Sequence, residues 1–144
     1  MSTDLQKIAQ EVCLAPILKL QAEMAKLPQV ELETLHYFAD GMYCRWLYRP
    51  KGTLIVGKVH KKEHFYLVIQ GCVQVEKTLY RAPSICVSAA GTKRAVLALE
   101  DSVCITIHRT DKTDLDEIEK EIVEDDPDAL FDFRNHLKLK ELPP

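Results

Sequence analysis

The sequence predicts a mainly β protein, an antiparallel double-stranded β-helix (jelly roll) with helical segments before and after it. Between residues 30 and 109, short β-favouring runs alternate with turn signals about ten to twenty residues apart, a spacing typical of sandwiches and jelly rolls. Gly, Pro or Asp marks these turns, at residues 39–41, 50–52, 71, 82–83 and 90–91. A chain of 144 residues suits a single domain with one core.

The β domain is predicted over residues 30–110. Its first two strands form a hairpin around residues 39–41, where β-branched and aromatic residues give way to turn formers. The predicted strands cover residues 30–38, 42–48, 53–60, 64–70, 72–77, 84–88, 93–99 and 102–108.

The segment before the β domain, residues 1–29, has apolar residues at helical spacing over residues 4–27. Pro16 interrupts this pattern, because proline removes a backbone donor and clashes with the preceding turn. We therefore expect two short helices or one kinked helix. Its apolar residues lie on more than one side, so the helix is expected either to pack on a sheet or to cover a partner subunit. A homo-oligomer that associates through this helix or an outer sheet is predicted.

The segment after the β domain, residues 111–144, begins with an acidic helix. Thr113 followed by three acids is a good helix start, since a hydroxyl can cap free amides and acids suit the positive end of the helix dipole. An apolar stripe from Leu115 to Val123 continues to about Glu124, and Pro127 ends the helix. The acidic run is either a solvated helix face or a partner-binding surface.

Charge and composition exclude several classes of protein. The net charge of −3 combines three segments: residues 1–110 have 14 basic and 10 acidic residues, residues 111–128 have 2 and 10, and residues 129–144 have 3 and 2. Such a mild basic excess beside an acidic segment does not indicate binding to a nucleic-acid polymer. No apolar run approaches the ~20 residues that span a bilayer, so no membrane partner is expected.

The cellular compartment is predicted to be the cytoplasm. The N-terminus carries an acid at position 4 and lacks the basic-then-apolar pattern of a secretion signal. The cysteines number five, are widely spaced and include no CxxC pair. They therefore predict neither a disulfide framework nor a zinc knuckle.

The candidate site lies between Gly52 and Gly71, where two strand-like runs meet across a charged corner. Alternation places Lys58 and His60 on the face of Leu54 and Val56, and His64 on the face of Tyr66. A face used only for packing rarely carries such groups, because an unpaired buried charge costs several kcal/mol. This pattern indicates a site without naming its ligand.

The stretch from Gly52 to Gly71 resembles the first motif of the cupin superfamily: glycine, five residues, His-x-His, three or four residues, Glu, six residues, glycine. Aligned on Gly71, the motif's histidines fall on Lys58 and His60, and its glutamate falls on His64. The second motif, Pro-x-Gly-x-x-His, resembles residues 89–94, with Arg94 at the histidine position. Within the superfamily the chain is most similar to small cupin-like proteins of bacteriophage genomes, which implies the host cytoplasm.

Typical cupins hold a divalent metal with the four aligned side chains, which here are Lys58, His60, His64 and Arg94. Neither Lys nor Arg at ordinary protonation ligates a metal, and both repel a cation. No cofactor is therefore predicted. A divalent metal stays possible on His60 and His64, and sequence alone cannot place His36 or His108 beside them.

The same residues suit an anion. Two cations and two imidazoles can bind phosphate or carboxylate through charge-assisted hydrogen bonds, and affinity should rise as pH falls from about 7.5 to 6 if the imidazoles become charged. Aromatic residues are available to stack a base or sugar: Tyr66, Tyr43 or Trp46. The alternative is structural, with Lys58 and Arg94 paired to Glu63, Glu100 or Asp101.

Two classes of function therefore stay open. One is a binding protein that captures a small phosphorylated or nucleotide-like molecule, possible in a phage protein that sequesters a host metabolite or signal. The other is a cupin enzyme, either metal-dependent through His60 and His64, or a metal-free isomerase or lyase using one of them as acid or base. Whether the protein is an enzyme is left open by the sequence.

Overall fold

Two antiparallel sheets face each other, which confirms the predicted jelly roll. The computed structural model describes residues 29, 31–126, 129 and 131–136. In this part of the chain the strands are β1 (Thr34–Ala39), β2 (Met42–Arg49), β3 (Leu54–Val56), β4 (His64–Gln70), β5 (Cys72–Val75), β6 (Thr78–Arg81), β7 (Ser84–Ser88), β8 (Ala95–Ala98) and β9 (Ser102–Arg109), and the helix is α1 (Leu115–Ile122). One sheet has the order β1-β2-β9-β4-β7, and the other has the order β3-β8-β5-β6. The predicted N-terminal helix lies outside the described residues.

Two details of the strand prediction are wrong. Strand β6 was not predicted, because the turn before it contains no glycine; there Glu76 itself takes the left-handed conformation, with φ of 55°. The predicted strand 53–60 is only three residues long. Regular strand structure ends at Val56, although the Gly57 amide still donates to the Arg94 carbonyl at 2.9 Å, just before β8.

A hydrophobic core fills one end of the space between the sheets. The five-stranded sheet contributes Tyr66, Val68 and Cys104, and the four-stranded sheet contributes Val73, Val75 and Val96. These residues alternate along their strands with outward-facing ones, as a half-buried sheet requires. The inner faces of the two sheets pack against each other at this end. At the other end the buried residues have different neighbours.

Helix α1 covers that other end. Its N-cap is Asp114, not the predicted Thr113: the Asp114 carboxylate accepts from the amides of Asp116 and Glu117 at 2.9 and 3.1 Å. The helix ends at Ile122, and its apolar side forms a second buried cluster, consisting of Tyr43, Ile118, Ile122, Val123 and Phe133. No helix among the described residues is long and apolar enough to cross a membrane.

Gly71 provides a test of this packing. It has φ of +80°, and an added Cβ would overlap the Ser102 hydroxyl and the Asp101 carbonyl and lie 2.9 Å from the Ser102 Cα. Gly71→Ala should therefore lower the free energy of unfolding by about 3 to 5 kcal/mol. Gly52 is the matched control, because it also has positive φ but open space around it. Gly52→Ala should cost only about 1 to 2 kcal/mol in the same urea titration, and equal losses would contradict the packing described here.

Candidate ligand site at a three-histidine cluster

Three histidines from separate parts of the chain meet inside the jelly roll. His64 begins β4, His108 lies near the end of β9, and His60 lies in the loop between β3 and β4. One nitrogen from each ring lies within 4.8 Å of the others. The sequence predicted His60 and His64 as site residues, and the fold adds His108, which sequence spacing could not place.

The imidazoles are stacked and joined by a hydrogen bond. His60 Nδ1 and His108 Nε2 are 3.0 Å apart, so one ring donates to the other. The ring of His64 lies 4.2 Å from each of the other two, centroid to centroid. His64 Nδ1 lies 3.2 Å from the Lys62 carbonyl and donates to it, which directs the other nitrogen of the ring away from that carbonyl.

The backbone around His60 is held from two sides. Its carbonyl accepts from the Gly91 amide at 2.8 Å, and His60 forms a bridge with Val123, just after α1. The Lys61 amide donates to the Ile122 carbonyl at 2.8 Å. The position of His60 therefore depends on both the turn before β8 and the end of α1.

Burial keeps the three imidazoles neutral. It lowers the pKa of both His60 and His108 to about 3, and neighbouring imidazoles and Arg45 lower each further. Burial also lowers the pKa of His64. In the ligand-free protein, burial thus opposes charging of these histidines between pH 7.5 and 6, while the rise in affinity expected over this range stays a prediction.

Arginines supply the positive charge of the interior. On the inner face of the five-stranded sheet, Arg45 lies opposite Thr106, which in turn lies opposite Tyr66. Arg49 projects from the same face of β2 and is 8% exposed. Arg94, just before β8, is close enough to lower the pKa of His60 and His64.

Several donors of these arginines are buried without a hydrogen-bond partner. They are Arg45 Nε, Arg49 Nε and Nη1, and Arg94 Nη1. Arg45 is partly compensated, since its Nη2 donates to the Phe133 carbonyl at 3.0 Å and its guanidinium lies 5.0 Å from the centroid of the Phe133 ring. The Tyr66 hydroxyl is also buried without a well-formed hydrogen bond. Burial lowers the pKa of Arg49, but its contacts with Tyr66 and Cys104 raise that pKa by more. These groups are positioned to donate to something other than the described protein atoms.

The side chains of three sequence-predicted residues make their contacts away from the three histidines. Lys58 pairs with Glu119 of α1 at 2.5 Å, so its proposed pairing with Glu63, Glu100 or Asp101 is wrong. Tyr43 lies opposite His108 on the inner face, but its ring belongs to the cluster under α1, where its hydroxyl lies 2.6 Å from His36 Nδ1. Trp46 lies on the outer face of its sheet, opposite Ile105, and cannot stack on a ligand beside His108.

The acidic segment is bound to the basic loops of the barrel. Besides Lys58–Glu119, Lys93 pairs with Asp126 at 2.9 Å, and both of these side chains are largely buried. Lys62 and Lys112 each lie 3.6 Å from Glu121. The acidic run is therefore more than a solvated helix face: it neutralises lysines beside the site and leaves the arginines as the cations facing inward.

The donor set fits a divalent metal ion. Three neutral imidazole nitrogens can converge on zinc or a similar ion, and ligating histidines must be neutral. Histidine ligands commonly donate their other N–H to a carbonyl or carboxylate, as His64 does to Lys62. The buried His108 Nδ1 has no such partner. His60, His64 and His108 are thus the residues that would hold a metal.

Comparison with known proteins supports the fold. No protein-family profile and no curated protein sequence matches this chain significantly. Among solved structures, KdgF from Halomonas sp. superposes with a TM-score of 0.51 at 16% identity, over 65% of this chain and 90% of that one.

Two further solved structures superpose with lower scores. An RmlC-like cupin protein from Ralstonia eutropha JMP134 has a TM-score of 0.49 at 16% identity, covering 59% of this chain and 60% of that one. An acetylacetone dioxygenase from Acinetobacter johnsonii has a TM-score of 0.48 at 12% identity, covering 58% and 65%. This chain thus spans less than two thirds of either protein. The chain has a cupin-like fold, and identities this low show the fold alone.

The neutral histidines predict acid sensitivity of the metal-free protein. In the unfolded chain His60 and His108 become protonated below pH 6.5, whereas in the folded chain they become protonated only near their lowered pKa of about 3. Stability is therefore unaffected above pH 6.5 and falls as pH decreases, by about 2 to 4 kcal/mol at pH 5. Urea titrations in EDTA at pH 7 and pH 5 measure this change. The double variant His60→Asn, His108→Asn should lose most of the pH dependence, and an unchanged slope would exclude these residues as its source.

Proposed function

We propose that this protein binds a small anionic molecule in the interior of its barrel, beside the three histidines. The observation that carries the proposal is the set of buried, unpartnered donors of Arg49 and Arg94. Among the described residues no salt bridge joins either arginine to a carboxylate. A buried guanidinium without a counter-ion is costly, and an anionic ligand would remove that cost.

The chemistry of the donors favours a phosphoryl or carboxylate group. Guanidinium groups present parallel N–H donors that match the oxygens of these anions. Such charge-assisted hydrogen bonds are roughly twice as strong as hydrogen bonds between neutral groups. The Tyr66 hydroxyl, also buried without a well-formed hydrogen bond, adds a neutral donor. A phosphorylated or nucleotide-like molecule of small size is the ligand class we propose.

The biological setting follows from the resemblance to small phage-encoded cupins. A phage-encoded binding protein in the host cytoplasm would act by sequestering a host metabolite or signalling molecule, and it would need no catalytic machinery. In this role the ligand would be held by Arg49, Arg94, Tyr66 and the histidines, while Lys58 acts only through its ion pair with Glu119.

Substitution of Arg94 tests the proposal. Arg94→Ala removes a charge-assisted contact and should weaken binding about ten- to a hundredfold. Calorimetric titration with inorganic phosphate, a nucleoside monophosphate and a small dicarboxylate measures the effect. Arg81→Ala is the matched control, because Arg81 is 70% exposed and pairs with Glu100 on the surface. It should leave the affinity unchanged.

Thermal melts on the same variants separate binding from structure. If Arg94 only fastens the barrel, Arg94→Ala lowers the melting temperature equally with and without ligand, and affinity stays constant. That result would contradict the proposal. The proposal expects little change without ligand and a smaller ligand-induced increase in melting temperature.

A second candidate function is that of a metal-dependent cupin enzyme, favoured by the convergence of three imidazoles within 4.8 Å. A bound divalent ion would act as a Lewis acid toward an oxygen of the substrate or lower the pKa of a bound water. The chain's own residues would hold the ion, and Arg94 would orient an anionic substrate beside it. The same interior residues would therefore serve either function, a binding protein without catalysis or a metal-dependent enzyme.

Elemental analysis separates the two candidates. The anion-binding proposal expects metal content well below one ion per chain, because Arg45 and Arg94 repel a cation at the histidines. The enzyme candidate expects a ratio near one ion per chain that His108→Ala removes. His36→Ala is the control for this loss, since His36 bonds to Tyr43 outside the three-histidine cluster. A stoichiometric metal lost only in His108→Ala would favour the enzyme.

A further inference from the structure

The outer face of the five-stranded sheet carries two uninterrupted apolar rows. Strand pairing aligns the residues of one row as Tyr37, Cys44, Ile107, Phe65 and Val87. It aligns those of the next row as Leu35, Trp46, Ile105, Leu67 and Ile85. Each row crosses all strands of the sheet, and no charged residue interrupts either. We call these ten residues the apolar face.

Much of the apolar face is exposed to solvent in the single chain. Ile85 is 64% exposed, Val87 59%, Tyr37 54% and Phe65 47%. Large apolar side chains usually avoid such exposure when they form a contiguous patch, and larger exposed patches mark interaction sites. The inner face of the same sheet already has its partner, the four-stranded sheet.

The outer face of the four-stranded sheet is exposed only in part. Its outward-facing residues Leu97 and Gln74, which lie opposite each other on β8 and β5, are 1% and 2% exposed. Leu79, which lies opposite Gln74 on β6, is 57% exposed, so this sheet is covered only in part. Among the described residues, exposed apolar side chains are more numerous on the five-stranded sheet, which makes the apolar face the candidate for contact with another molecule.

We propose that a second copy of this chain packs on the apolar face, forming a two-fold dimer through the five-stranded sheets. Sheets pack face to face about 10 Å apart, and a flat β face is complementary to a rotated copy of itself. An uncharged surface also offers no complementarity to a charged partner, whereas it buries well against an identical uncharged surface.

The size of the apolar face suits the core of a dimer interface. Five strands at ~4.8 Å spacing and side chains from two rows give a patch of roughly 20 Å by 15 Å in projection. The accessible surface of such side chains is larger than this projection, and the ends of the strands add a rim. A standard interface buries about 800 Å² per partner with an apolar centre and a polar rim, which this face and its surroundings can supply.

The dimer would leave the ligand site free. Side chains of neighbouring residues on a strand point to opposite faces, so Phe65 faces outward while His64 and Tyr66 face inward. Both copies therefore keep their three-histidine clusters away from the contact. Association and ligand binding are separable, and variants of the apolar face test the first without touching the second.

Sedimentation velocity of the full chain tests the dimer. The wild type should sediment as a dimer at about 10 µM, and Phe65→Lys should raise the dissociation constant at least about a hundredfold, because it buries a charge near the centre of the contact. Ile85→Lys is a second variant on an edge strand, where a folding defect is least expected. Leu79→Lys is the matched control, since Leu79 is 57% exposed but lies on β6 in the other sheet.

Dissociation in Phe65→Lys and Ile85→Lys, with a dimer retained in Leu79→Lys, supports the proposal. Circular dichroism checks that each variant is folded, and if Phe65→Lys is not, Ile85→Lys decides. A wild-type monomer at about 100 µM would overturn the proposal, since the apolar face would then be left to another occupant, such as residues 1–28. A dimer that persists in both apolar-face variants, or that Leu79→Lys also dissociates, would overturn it too.

Discussion

Arg45, Arg49 and Arg94 lie around the interior of the jelly roll, and among the described residues none of them forms a salt bridge with a carboxylate. Moving a charge out of water costs several kcal/mol, and a protein normally recovers that cost with a counter-ion. Here the acids near the site are used by lysines instead, as in Lys58–Glu119 and Lys93–Asp126. The interior therefore keeps a positive charge, and the rest of the fold must compensate for the cost of burying it.

This constraint explains the arrangement of the histidines. Burial, reinforced by neighbouring imidazoles and guanidinium charges, lowers the pKa of the three imidazoles, so they contribute hydrogen-bonding nitrogens instead of further charge. Neutral imidazoles can accept or donate a hydrogen bond, or ligate a metal, which is why the cluster suits both candidate functions. The end of α1 keeps His60 in place through backbone hydrogen bonds, so the acidic segment shapes the site without entering it.

Much of the fold could be predicted from sequence, because turn residues and alternation are local signals. The hairpin at residues 39–41 and strands β4 and β7 were predicted correctly, whereas β6 was missed because its turn uses Glu76 instead of glycine. The site was harder to predict. His108 is 48 residues from His60. Pairing of β9 with β4 brings His108 beside His64, and the contacts of the loop before β4 with the turn before β8 and the end of α1 bring His60 to them. Alternation along β2 could have predicted that Arg45 and Arg49 face inward, since it places them on the same face as the buried Leu47. They were not predicted as site residues, because an arginine in a strand is usually exposed.

The central claim is that the buried arginines serve a ligand and not the fold. The most direct test is the free energy of unfolding of Arg49→Met in phosphate-free buffer, after any bound ligand has been removed. Methionine keeps much of the side-chain volume and removes an unpartnered charge, so the variant should be as stable as the wild type or more stable by about 1 to 4 kcal/mol. A loss of several kcal/mol would contradict the account, because it would mean that the Arg49 charge stabilises the folded protein without any ligand.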